Sequence, residues 1–292
     1  MLDDLGMTGD LHRRGALFLY ETDRGFHADA NEWHLKRSHH IEAHEISGEE
    51  ARRMEPALGP HVRRAVFTPQ WSHLSDPKRL LDALRERLVS RGVRLVSADI
   101  HSVEPNGPGL ASIKRVDGPA FEAERIVIAA GAWSGKLAHR LGDRALLESE
   151  RGYNATISNP GIPLHRQLVF AEHKFVATPL SCGLRIGGAA EFGGLRALPN
   201  FSRSDALLEL ARRYLPALRT DGARYWAGHR PATPDSLPVI GQSRCHASVF
   251  YAFGHGHLGL TQAATTGRLL CEHILGRPTS IDLAPYSIAR FR

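Results

Sequence analysis

Apolar residues follow two different rhythms along this chain, and the rhythm changes twice. Between residues 76 and 146 it is helix, then strand. Asp76-Pro77 offers an N-cap followed by proline at the first helical position, and Leu80, Leu81, Leu84 and Leu88 follow at helical spacing. Gly92 stands where a helix closes, and Val93-Arg94-Leu95-Val96 reads as the next strand. Helix, glycine and strand predict an α/β unit. Asn106 to Gly109 reads as a hairpin turn. Arg125 to Gly131 is a continuous apolar run ending in glycine, which suits a parallel strand covered on both faces. Ser134 is placed to cap a helix carrying Leu137 and Leu141, which Gly142 ends.

Residues 147–220 change to short alternating runs: Tyr153 to Ile157, Leu168 to Phe170, Phe175 to Thr178 and Leu184 to Gly188. Proline and glycine separate them, which predicts an antiparallel sheet. A helix around Leu207, Leu208, Ala211 and Tyr214 comes next and stops near Pro216. The α/β rhythm then resumes, with a strand at Val249–Phe253 and a helix from Leu260 to Leu275. Near the N-terminus, Leu17 to Tyr20 reads as a strand, and Ser47-Gly48-Glu49-Glu50 as a capping box opening a short helix. The fold class is therefore α/β plus α+β. An incomplete α/β domain (76–146 and 222–292) is interleaved with an antiparallel-sheet domain (1–75 and 147–221).

Composition narrows the function classes. A chain of 292 residues with 42% hydrophobic and 23% charged content is an ordinary globular protein rather than a disordered one. Its net charge of +6 is dispersed, without a basic run of five, so nucleic acid is not an expected partner. That charge leaves a mild attraction to anionic substrates or to an acidic membrane surface. Cys182, Cys245 and Cys271 are scattered and odd in number, which reads as reduced thiols and a cytoplasmic location. No apolar stretch reaches membrane-spanning length, and Met1 to Leu5 lacks the layout of a signal peptide. His34, His39, His40 and His44 decorate a polar segment and read as solvated surface.

Three stretches carry chemistry. The first is Ala129-Ala130-Gly131-Ala132-Trp133-Ser134, where small residues at a strand end let backbone approach a ligand. The second is Trp226-Ala227-Gly228-His229-Arg230-Pro231-Ala232-Thr233-Pro234-Asp235. It holds Arg230 in a stiff segment suited to bidentate recognition of a carboxylate, or to a structural pair with Asp235. The third is Gly254-His255-Gly256-His257-Leu258-Gly259, a G-x-G-x-x-G turn between an apolar strand and a helix. It lies too near Arg292 to open the usual unit of ~30 residues, so it reads as the closing element of a cofactor site. A helix N-terminus there would stabilise negative charge on a reduced flavin.

Taken together, with Glu150-Arg151-Gly152-Tyr153 and Pro238-Val239-Ile240-Gly241, these blocks resemble the FAD-dependent D-amino acid oxidase (DAO) family, bacterial D-amino acid dehydrogenases most of all. The resemblance implies FAD as cofactor, with Ile100, Gly131, Ala132, Trp133, Gly254, His255, Gly256, Gly259, Leu260 and Thr261 lining it. It implies that Arg230 binds the substrate carboxylate, with His257 and Phe175 in the same pocket. It makes 76–146 and 222–292 the FAD-binding part and the remainder the substrate domain. The activity implied is oxidative deamination of a D-amino acid or related amine to a 2-oxo acid and ammonia, with electrons passed to an acceptor other than oxygen. Family members begin with a βαβ unit carrying the Rossmann glycines, and nothing here matches it, so the chain is expected to be N-terminally truncated. The alternative is an FAD-free remnant without catalysis, at most a carboxylate- or partner-binding module.

Overall fold

The structure, a computed structural model, describes residues 1–107 and 109–291. Strands β1 (Leu11–His12) and β2 (Ala16–Tyr20) come first, then helices α1 (Asp23–Ala28) and α2 (Ala30–Ser38). Strand β3 (His44–Ser47), helix α3 (Gly48–Met54) and strands β4 (Arg64–Thr68) and β5 (His73–Leu74) lead to helix α4 (Pro77–Ser90). Strands β6 (Ile100–Pro105), β7 (Ala111–Arg115), β8 (Phe121–Ala123) and β9 (Ile126–Ile128) precede helix α5 (Ser134–Leu141). Next come β10 (Glu148–Ile157), β11 (Gln167–Phe170), β12 (Phe175–Leu180), β13 (Gly183–Phe192) and helix α6 (Ser202–Tyr214). Strands β14 (Arg224–Ala232), β15 (Val239–Gln242) and β16 (Val249–Phe253) lead to helix α7 (Gly259–Ile274).

The chain divides into two compact units. The first comprises 1–93, 152–190 and 199–227; the second comprises 94–151, 191–198 and 228–292. Helix α4 goes with the first unit, whereas the rhythm of its sequence groups it with strands β6 to β9. Its ties explain this: Arg79 pairs with Asp10 at 2.8 Å, and the Arg87 guanidinium donates to the Asp4 carbonyl.

Most of an eight-stranded sheet, in the order β14-β10-β13-β12-β11-β2-β4-β3, belongs to the first unit, while residues 148–151 of β10, 191–192 of β13 and 228–232 of β14 fall in the second. Strand β11 runs parallel to β2, with Leu168 opposite Leu17, while β12 pairs antiparallel with β11 and β13. Leu17, Leu168, Phe170, Phe175 and Ile186 join Leu207, Ala211 and Tyr214 of α6 in one core. Phe18 and Tyr20 point the other way, into a cluster with Phe26 and Trp33. Strand β2 is buried along its whole length because both its faces are covered, which is why its sequence shows no alternation. The Ser47 capping box forms, with Ser47 Oγ accepting from Glu50 N at 3.1 Å and the Glu50 carboxylate accepting from Ser47 N at 2.7 Å. Asp76 caps α4 by accepting from Lys78 N at 2.8 Å.

The second unit holds two three-stranded sheets, β15-β16-β9 and β6-β7-β8. Strand β16 is parallel to β9 and antiparallel to β15. Ile126, Ile128, Val249, Tyr251 and Phe253 form its core with Ala138 and Leu141 of α5. Buried Asp143 ties the end of α5 to the turn before β16, accepting from Ser243 Oγ at 2.5 Å, Tyr251 Oη at 2.8 Å and Arg244 N at 3.2 Å.

Several sequence expectations are corrected. On α4 only Leu80 is buried; Leu81 is 60% exposed and Leu88 44%. Val93 to Val96 forms no strand, because no described strand pairs with it and its side chains stay in solvent. The strand predicted from Arg125 is short, and Val127 is 42% exposed, so β9 is not covered on both faces. Ser134 does not cap α5: its Oγ is buried without a hydrogen-bond partner. The turn at 106–109 joins antiparallel β6 and β7 through Gly107 and Gly109 at positive φ; its Pro108 lies outside the described residues.

Candidate FAD and substrate site

Two glycine turns lie side by side in the second unit. Strands β9 and β16 are parallel neighbours, with Ile128 opposite Tyr251, so both chains leave the sheet at the same end. That is where parallel sheets hold ligands. After β9, Gly131 has φ +54° and begins a short 3₁₀ turn, Gly131–Trp133, that leads into α5. A Cβ on Gly131 would meet no atom within 4 Å, so the space above it is open. Ala132 is buried beneath the turn, and Trp133 is half exposed.

After β16, Gly254 has φ +84° and Gly256 has φ +53°. Only glycine enters this left-handed region without strain. A Cβ on Gly254 would lie 2.9 Å from Thr233 Cγ2, whereas Gly256 faces open space. His255 Nε2 meets Thr266 Oγ1 at 2.9 Å, which pins the loop to α7. Burial holds the His255 imidazole below its ordinary pKa, so it braces the turn as a neutral ring. His257 is exposed, and Leu260 and Thr261 lie exposed on the first turn of α7.

The arginine segment lies on β14. Arg230 Nη1 pairs with Glu150 Oε1 of β10 at 2.9 Å, and both side chains are largely covered. On the opposite face, His229 Nδ1 meets Ser149 Oγ at 2.6 Å. The His229 ring also packs edge-on against Trp133, with centroids 5.4 Å apart at 75°. The structure thus links the arginine segment to the first glycine turn through His229 and Trp133. The structural pair with Asp235 does not form. Asp235 instead binds Arg290 at 2.7 Å. Burial alone would raise the Asp235 carboxyl, but the Arg290 guanidinium and the Leu237 N–H hold it below its usual range.

Ile100 opens β6, opposite Arg115 and next to a bulge, with its side chain 38% exposed. Phe175 is placed differently from the expectation. It lies in the core of the first unit, 1% exposed, stacked on Phe170 with centroids 4.2 Å apart. A ring enclosed this way offers no face to a ligand. Ser149, Glu150 and His229 were missed by sequence reasoning. Glu150 stood in a recognised block, but only strand pairing reveals that it faces Arg230.

These residues fit FAD. Two glycine turns at positive φ leave open space where backbone can approach a flat cofactor, and a helix of 16 residues starts at the second. Two buried oxygens beside the turns, Ser134 Oγ and Gln262 Oε1, lack protein partners. Among the described residues no helix is long and apolar enough to cross a membrane.

Comparison with known proteins agrees. Residues 1–273 match the family model DAO, described as FAD dependent oxidoreductase. A D-amino-acid oxidase of Bradyrhizobium diazoefficiens is 32% identical over 295 residues, covering 100% of this chain and 70% of that protein. A D-amino acid dehydrogenase of Paramagnetospirillum magneticum is 31% identical, covering 99% and 69%. The crystal structure of glycine oxidase from Geobacillus kaustophilus superposes with a TM-score of 0.86 at 25% identity, covering 99% of this chain and 79% of that one. The chain, an α/β protein with the glycine turns and the arginine segment in place, belongs to the DAO family of FAD-dependent oxidoreductases.

Proposed function

We propose that this protein oxidatively deaminates D-amino acids, or closely related amines, and passes the electrons to an acceptor other than oxygen. The observation that carries this reading is Arg230, a largely covered guanidinium on a proline-stiffened strand, held by Glu150 at 2.9 Å. A fixed fork of this kind recognises a carboxylate through two parallel hydrogen bonds. Glu150 occupies that fork when no substrate is bound, and an incoming substrate carboxylate competes for it.

The glycine turns at Gly131 and Gly254–Gly259, with Trp133, Leu260 and Thr261, hold the cofactor; Ile100 is assigned to its adenine end. Bound FAD supplies the two-electron acceptor that turns the amine of the substrate into an imine. Water then adds to the imine carbon and ammonia leaves, giving the 2-oxo acid. The protein's work is positioning: Arg230 fixes the carboxylate, His257 borders the pocket, and neutral His255 keeps the loop in shape. This chemistry relies on positioning and does not demand a paired acid and base.

The test is to load the purified protein with FAD and add D-alanine or L-alanine without oxygen. Bleaching of the flavin absorption by the D-isomer, with turnover when an artificial dye acceptor is added, is the expected result. A protein that binds FAD but is not reduced by any D-amino acid would overturn the substrate assignment. One that stays colourless at saturating FAD, yet still binds a carboxylate at Arg230, would point to a binding module instead.

A further inference from the structure

A cavity lies within the first unit, away in sequence from the glycine turns and from Arg230. Its volume is about 220 Å³, and its polar lining is His12, Arg14, His73, Ser75, His165 and Ser181. Strands β1 and β5 pair antiparallel with His12 directly opposite His73, and the two rings lie 5.2 Å apart. Ser181 N donates to the Ser75 carbonyl at 2.8 Å, which draws the turn after β12 onto the same wall.

The charges around this cavity are unbalanced. Its neighbouring carboxylates are already engaged. Asp10 accepts from Ser75 Oγ and from Arg79 Nη1, each at 2.8 Å. Glu55, fully buried, accepts from the His165 N–H at 3.2 Å and lies 3.6 Å from Arg166 Nε. Arg14 has no carboxylate partner among the described residues. The His165 ring also faces Glu55, with Nδ1 3.4 Å from Oε2, so the cavity presents Arg14, His12 and His73 with no carboxylate to meet them among the described residues.

His73 sharpens the chemistry. It is only 8% exposed, and its Nδ1 is enclosed without a hydrogen-bond partner. A bare ring nitrogen is less costly in that position than an N–H, so the neutral ring carries its proton on Nε2. Burial, with His12 and Arg14 adding to it, pushes the imidazole down to about 4. At neutral pH the ring is thus an uncharged donor beside an unopposed guanidinium. Among the described residues no group of His, Cys, Asp and Glu could hold a metal ion, so a cation is not what this lining suits.

We propose that the cavity binds a phosphate-type oxyanion, with Arg14 supplying the charge and His12, His73 and Ser181 donating to its oxygens.

The experiment is titration of the full chain with inorganic phosphate at constant ionic strength, read by the imidazole proton signals of His12 and His73. A saturable shift is expected, with the His73 midpoint moving upward as the site fills. Arg14→Gln, at an exposed position whose loss leaves the core intact, should weaken phosphate at least tenfold, and Ser181→Ala should weaken it several-fold. Circular dichroism checks that both variants are folded. Absence of a saturable shift would overturn the proposal, as would Arg14→Gln binding phosphate like wild type. Acetate binding as tightly as phosphate would overturn the assignment to a dianion.

Discussion

Arg230 and Glu150 show how much a single pair can decide. Replacing Arg230 by Lys keeps the charge and loses the fork, so substrate binding should weaken by about 1–3 kcal/mol, read as a raised KM for a D-amino acid. Glu150→Gln should act in the opposite direction. It releases the fork from its internal carboxylate, and KM should fall by a few-fold, about 1 kcal/mol for a partly exposed pair. If Glu150→Gln raises KM instead, the ion pair positions Arg230 rather than competing with substrate. At this scale the sequence was informative about identity and silent about partners. Arg230 stood out because glycine and proline flank it. Glu150 lies 80 residues away, and nothing local announces that β10 and β14 bring the two together. Phe175 shows the converse error: its place in an alternating run marks it equally well as core, and the stack on Phe170 makes it so.

Elements with their own local signals formed where the chain predicted them. The capping box of α3, the Asp76-Pro77 start of α4 and the glycine after α5 each satisfy backbone groups within a few residues, so short-range chemistry suffices. Val93 to Val96 failed because a strand is defined by a neighbour, and apolar content cannot supply one. The glycine turns belong to this scale too. Gly256→Ala places a side chain at φ +53°, which costs roughly 1–2 kcal/mol and should weaken FAD binding in a titration followed by absorbance. The hub at Asp143 is a separate test of packing. Asp143→Ala leaves Ser243 Oγ and Tyr251 Oη without an acceptor in the core, and should lower stability by about 3 kcal/mol in urea unfolding. A change under about 0.5 kcal/mol would mean that water replaces the carboxylate.

For the whole molecule, buried His73 couples folding to pH. Its folded-state value, about 4, lies below the ordinary 6.5, so the unfolded chain binds the proton more readily between those limits. His73 therefore contributes stability that is fully present above pH 6.5 and is lost as pH falls through 4. Thermal unfolding of wild type should show a steeper loss in that window than His73→Phe, and parallel curves would argue against a buried neutral imidazole. Bound FAD acts on the same quantity: at 100 times its Kd it should stabilise the protein by about 2.7 kcal/mol. The alternation of α/β and antiparallel rhythms was legible because each unit returns to its own pattern after an interruption. Where the boundaries fall was not, since α4 is held by an ion pair with Asp10 and a hydrogen bond to the Asp4 carbonyl, both far off in sequence. Trp133 gives the molecule a built-in lamp. Of the four tryptophans, Trp33 is enclosed, while Trp133 stands 49% exposed on the first glycine turn and touches His229. Its emission should be the first to dim when an isoalloxazine ring settles over that turn, so the occupancy of the site can be followed by light before any turnover is measured.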